Sequence, residues 1–227
     1  MQESTKKKPD HIETAEGYKL VWNCALHNKT LRNANEALTD TICVAKRSRN
    51  FSSIEDLIQS HSRDNRFDPH LILSLGCGAG ADLLKFRRLF PSSMIFGIDT
   101  SLDALFIAKR NLDGKNASLI CASMDHLPFR NQMKFDMLVA GQSIDLKFED
   151  KYLKKALTEI TRYSSRKCRF YMSFYGTSEN QLEQYKCDPI GKLLDKLDWT
   201  VSSGRRYRIR NRRYSKGVFW VCERSKS

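Results

Sequence analysis

The segment Leu71-Ile72-Leu73-Ser74-Leu75-Gly76-Cys77-Gly78-Ala79-Gly80 constrains this chain more than any other, together with Phe96-Gly97-Ile98-Asp99 downstream. An apolar run that ends in alternate glycines reads as a short strand feeding a tight turn. Gly76, Gly78 and Gly80 let the backbone turn sharply and come close to a ligand. Residues 81–90 carry helical spacing, so the turn opens onto a helix N-terminus whose free N–H groups favour an anionic group. About 20 residues after the loop, a second strand ends in Asp99, whose carboxylate suits both hydroxyls of a ribose. The pattern predicts a nucleotide crevice. A plain turn with an Asp helix cap is the alternative.

Strand and helix signals then alternate. Strands are expected over residues 94–98, 117–122, 135–140 and 169–174, with helices over 103–111, 150–163 and 188–197. Two further strands are expected over 207–210 and 218–222. Alternation of this kind implies βαβ units and a mainly parallel sheet. Residues 211–216 are too few for a crossover helix, so the last two strands form an antiparallel hairpin. The expected fold is α/β and Rossmann-like, a seven-stranded, mainly parallel sheet flanked by helices. Residues 1–12, with Lys6, Lys7 and Lys8, read as a loose basic tail. Residues 13–66 read as a helical extension covering the site, and residues 67–227 as the nucleotide-binding domain.

The 227 residues suit one domain, and 41% hydrophobic with 29% charged residues are ordinary for a folded protein. No run of about 18 apolar residues occurs, and no apolar stretch follows the N-terminus, so neither a membrane span nor a secretory signal is expected. The 7 cysteines are odd in number and contain no CxxC pair. Reduced thiols in a cytoplasmic or nuclear compartment follow, with no structural zinc. Cys121 and Cys168 fall on expected strands and read as core residues. His11, His27, His61, His70 and His126 show no ligand spacing, so no metal site is expected.

The glycine loop, the strand-3 turn Ala122-Ser123-Met124-Asp125-His126-Leu127-Pro128-Phe129 and the fourth strand Phe135-Asp136-Met137-Leu138-Val139-Ala140 resemble the class I S-adenosylmethionine (SAM)-dependent methyltransferases. A nicotinamide-binding domain shares the glycine pattern and is the rival reading. The resemblance implies SAM as cofactor, held by Ser74, Gly76, Cys77, Gly78, Gly80, Asp99, Thr100, Ser123, Met124, Ala140 and Gly141. Serines stand at 74 and 123, where the family usually has acids. Lost charge-assisted bonds there weaken SAM binding by about 1–3 kcal/mol in total.

Within that class, three segments resemble mRNA cap guanine-N7 methyltransferases. They are Leu31-Arg32-Asn33-Ala34-Asn35-Glu36-Ala37-Leu38, the loop's continuation into Asp82-Leu83-Leu84-Lys85, and Gln142 after strand 4. Gln142 and Asp145 are the candidate catalytic residues. Methylation of guanine N7 needs no general base, because the nitrogen carries an exposed lone pair, and alignment with the sulfonium suffices. Glu36 and Thr39 depart from that subfamily, as do Asp145-Leu146-Lys147 and Gly217-Val218-Phe219. A small-molecule methyltransferase, or a silent methyltransferase-like subunit that binds RNA or stimulates a protein partner, are the competing readings.

The net charge of +13 favours polyanionic partners. Its densest cluster is Arg205-Arg206-Tyr207-Arg208-Ile209-Arg210-Asn211-Arg212-Arg213-Tyr214. Alternation on a strand sends Arg206, Arg208 and Arg210 to one face. With Arg212 and Arg213 they form an expected RNA-binding edge, for which a charge-protected sheet edge is the alternative.

Overall fold

The computed structural model describes residues 58–59, 67–141, 143–144, 150–176, 189–208 and 216–224. The strands are β1 (Leu71–Leu75), β2 (Met94–Asp99), β3 (Ser118–Cys121), β4 (Phe135–Gly141), β5 (Ser164–Gly176), β6 (Trp199–Arg208) and β7 (Lys216–Arg224). The helices among the described residues, numbered here in order, are α1 (Ala81–Leu89), α2 (Leu102–Leu112), α3 (Asp150–Arg162) and α4 (Pro189–Lys196). The sheet runs β3-β2-β1-β4-β5-β7-β6. Strands β1 to β5 are parallel, and β7 lies antiparallel between β5 and β6. The seven-stranded sheet and its antiparallel C-terminal pair match the sequence expectation.

Both faces of the central strands are covered, which is why β1 and β4 are nearly continuous apolar runs. Leu73 and Leu75 face one core with Leu138, Phe170 and the α3 residues Leu153, Leu157 and Ile160. Ile72 faces the other with Met137, Val139, and Leu83 and Phe86 of α1. In α3, Leu153, Ala156, Leu157 and Ile160 are buried, at the i, i+3, i+4, i+7 spacing of one helical face. Truncating Leu157 to alanine removes apolar contact from a closed core, a change that costs about 2–5 kcal/mol.

Strand β1 has β2 on one side and β4 on the other. The connections therefore diverge there, and the carboxyl ends of these strands leave a crevice, the usual ligand position in such sheets.

Two expectations are corrected. Strand β6 begins at Trp199, eight residues before the expected start at Tyr207. Trp199 is buried and packs on Phe170, with ring centroids 5.7 Å apart, and its indole N–H donates to Thr161 Oγ1 at 2.8 Å. The stretch Ser202-Ser203-Gly204 hid the strand, which is the outermost one and shifts register between Val201 and Ser203. Cys121 is exposed rather than core, because β3 is the opposite edge of the sheet. Cys168 is buried as expected. The expected tail and helical extension lie outside the described residues apart from Ile58, which is fully buried, and Gln59.

Candidate cofactor site

The glycine turn is fixed from three sides. Gly76, Gly78 and Gly80 all have positive φ, at 66°, 50° and 79°. Cys77 donates its N–H to the Ile98 carbonyl at 2.9 Å, which ties the turn to the end of β2. Asn111 Nδ2 of α2 donates to the Ala79 carbonyl at 3.0 Å. Ser143 Oγ, just beyond β4, donates to the Leu75 carbonyl at 2.5 Å. A Cβ placed on Gly76 would lie 2.4 Å from Ser143 Cβ, so that glycine is required by space as well as by φ.

Asp99 joins the two halves of the crevice. Its Oδ2 accepts the Gly78 N–H at 2.9 Å, and its Oδ1 accepts the Ser101 N–H at 2.9 Å. Each oxygen keeps a lone pair for a ligand. Ser101 in turn caps α2, accepting from the Ala104 N–H at 3.3 Å.

A second carboxylate was present in the sequence but given no role there. Asp82 lies in the first turn of α1, where an acid complements the helix dipole. A Cβ on Gly141 would sit 3.0 Å from Asp82 Oδ2, so this carboxylate lies beside the carboxyl end of β4. Burial first, and then the Asp99 and Asp82 carboxylates, push the Cys77 thiol well above its ordinary pKa. The turn therefore carries a neutral thiol flanked by two acids.

Ser74 is buried, and its Oγ has no hydrogen-bond partner among the described residues. The site has a polar group directly beneath the turn, but one without the charge that an acid would bring. In the strand-3 turn, Ser123 Oγ donates to Asp125 Oδ1 at 2.6 Å and lies 3.2 Å from the Tyr152 hydroxyl of α3. Lys155 Nζ reaches Asp125 Oδ2 at 3.0 Å and His126 Nδ1 at 3.1 Å, and Glu159 Oε1 accepts the Leu127 N–H at 3.3 Å. Burial alone would raise the Asp125 pKa. The Ser123 hydrogen bond, then Lys155 and His126, outweigh it and hold the carboxyl below its usual value. The acid of this turn thus sits two residues beyond the position where the resemblance sought it.

The structure brings Gly76, Gly78, Asp99 and Gly141 to one end of the sheet, with Thr100 exposed at the rim. Ala140 is buried in the core beneath, with the residues that α3 covers. Ser123 and Met124 are half-buried in the turn after β3. Gln142, Asp145, Arg210, Arg212 and Arg213 lie outside the described residues, while Arg206 and Arg208 fall on β6, the outer strand. No group of three metal-ligating side chains occurs among the described residues. No described helix is long and apolar enough to cross a membrane.

A glycine turn at a helix N-terminus, bridged to an acid at the end of the next strand, is an arrangement that suits an adenosyl nucleotide. Residues 72–166 match the family model described as "Methyltransferase domain". That match covers β1 to the start of β5, and the fold is the one seen in SAM-dependent methyltransferases. No curated protein matches the chain. Among solved structures, it is similar to an S-adenosylmethionine-dependent methyltransferase from Clostridium acetobutylicum, at 15% identity and TM-score 0.67, covering 86% of this chain and 100% of that one. It is also similar to the magnesium protoporphyrin IX methyltransferase of Synechocystis with bound SAH, at 13% identity and TM-score 0.58, covering 76% and 81%. The [4+2]-cyclase SpnF shares the fold at 14% identity and TM-score 0.60, covering 76% and 81%. A fold shared with a cyclase does not by itself fix the reaction.

The residues present fit SAM. The turn with its helix N-terminus suits the methionine carboxylate, Asp99 the ribose, and Asp82 a cationic centre near β4. The buried Ser74 hydroxyl leaves an unmet polar group at the same place.

Proposed function

We propose that this protein transfers the methyl group of SAM to RNA. The observation that carries the cofactor half is the Gly78–Asp99 bridge, which couples the ligand turn to the ribose acid. The net charge of +13 supports an anionic acceptor. SAM supplies an electrophilic methyl group when bound. The chain's own residues hold and orient: the turn at Gly76–Gly80 fixes the amino-acid end, and Asp99 fixes the sugar. The end of β4 at Gly141 and Ser143 just beyond it border the place where an acceptor approaches. Guanine N7, as in an mRNA cap, is the finer acceptor reading, because it needs alignment and no base.

Serines at 74 and 123, where the family usually has acids, favour a second reading, a silent subunit built on the same scaffold. Calorimetric titration with SAM and SAH, followed by transfer of labelled methyl to capped RNA, uncapped RNA and a metabolite pool, separates the two. Label in RNA supports the proposal. Tight SAM binding with label only in metabolites sinks the RNA half, and no binding at millimolar ligand leaves the silent subunit.

A further inference from the structure

We infer that the basic seam between α3 and the facing loop, residues 122–134, is a track for single-stranded RNA leading away from the crevice. This inference rests on the RNA reading above, and it places the RNA on a different surface from the arginine cluster read in the sequence.

Helix α3 directs its apolar face into the core and a basic face outward. Lys151, Lys154 and Lys155 are exposed in its first half, and Arg162 is exposed at its end. Positions 151, 155 and 162 fall on one side of a helix, and the run spans about 16 Å. Two of the four cations are paired with acids, Lys155 with Asp125 at 3.0 Å and Arg162 with Glu159 at 3.7 Å, yet both side chains stay 52% exposed, and the acids also accept from Ser123 and from the Leu127 N–H. Asp150 stands at the helix start, where the dipole favours it.

The loop adds cations on the same side. Arg130 and Lys134 are exposed, and Lys134 Nζ donates to the Arg162 carbonyl. Arg162 donates to Asn131 Oδ1, so its guanidinium bridges helix and loop. Beside it lies an open depression lined by Pro128, Phe129, Arg130, Gln132 and Met133. Apolar and polar lining next to a line of cations suits an unpaired base beside its phosphates, a combination that duplex RNA does not present.

The seam is joined to the cofactor site. Lys155 contacts Asp125 and His126 in the turn that the resemblance assigns to adenine, and α3 follows the segment after β4. A strand whose target base enters the crevice would leave it along α3.

The test is fluorescence anisotropy with a short labelled single-stranded RNA, titrated at several KCl concentrations. The variant is Arg130→Gln/Lys151→Gln/Lys154→Gln. These exposed side chains lie away from the turn's hydrogen bonds, so folding and SAH affinity, checked by melting and calorimetry, stay at wild-type values. The expected result is RNA affinity at least tenfold weaker and a log Kd against log salt slope shallower by about 2. An unchanged slope and affinity, with Arg206→Gln/Arg208→Gln carrying the loss instead, overturns the track and leaves the RNA reading standing. SAH binding without any wild-type RNA binding overturns both.

Discussion

Asp99 Oδ2 accepts the Gly78 backbone N–H at 2.9 Å, across a separation of 21 residues. This bond closes the βαβ unit on itself at the point where the ligand must sit. The same carboxylate holds Ser101, so one side chain sets both the glycine turn and the start of α2.

Replacing Asp99 with alanine strands two amide donors that were paired with a charged acceptor. Such a loss costs about 2–3 kcal/mol, and Asp99→Asn, which keeps an acceptor oxygen, costs less. SAH affinity falls at least tenfold in the alanine variant, since about 1.4 kcal/mol is a factor of ten. Denaturant unfolding and calorimetry measure the two losses separately. Wild-type SAH affinity in Asp99→Ala would remove Asp99 from the site.

Gly76 and Gly114 share a positive φ, at 66° and 71°, but differ in surroundings. A Cβ at Gly76 would meet Ser143 Cβ at 2.4 Å, whereas nothing lies within 4 Å of one at Gly114. Gly114→Ala therefore loses only the backbone preference, about 1–2 kcal/mol. Gly76→Ala adds overpacking of about 1–3 kcal/mol and displaces the segment after β4. Parallel thermal melts should rank the two, and only Gly76→Ala should lose SAH binding.

The turn at Gly76–Gly80 and the acid at Asp99 were legible because a strand, a tight turn and a helix start leave local signals. The strands with both faces buried were legible for the same reason, since Ile72 and Val139 must be apolar wherever the neighbours sit. Edges were not. Trp199 opens the outermost strand, whose sequence carries no alternating apolar pattern, and Cys121 looked like core only because its position in the sheet order is invisible locally. The Asp125 cluster depends on Lys155, 30 residues away, and so left no local trace. The acid in the first turn of α1 was the signal available for Asp82, but its approach to Gly141 is set by tertiary packing.

Buried thiols make this fold sensitive to alkali. Burial pushes the pKa of Cys222 up to about 12 and raises those of Cys77 and Cys168 as well. An unfolded thiol ionises near pH 8.5, so above that value the unfolded chain releases protons that the folded one retains. Stability is then lost as pH rises, by about 1.4 kcal/mol per pH unit for each such thiol. Cys222→Ala should be less stable than wild type at pH 7.5 but should show a shallower alkaline fall. Equal slopes in urea series above pH 9 would contradict the assignment.

Acid should act through the Lys155–Asp125 contact. Asp125 is held below the usual carboxylate pKa, first against burial and then by Ser123 and Lys155. An unfolded aspartate titrates near pH 3.9. The stabilisation is therefore fully present above that pH and disappears as pH falls through the lower folded value. Lys155→Met keeps most of the aliphatic stem and removes the charge. The Lys155 side chain is 52% exposed, so solvent screening limits the loss at neutral pH to at most about 1 kcal/mol. The gap between variant and wild type should close as pH falls through the lowered pKa of the folded carboxyl. SAH affinity at neutral pH should weaken in the variant, because the turn at Ser123 loses one of its ties to α3. A gap that persists in acid would mean that Lys155 acts by packing, and the charge would then have no part in setting the turn.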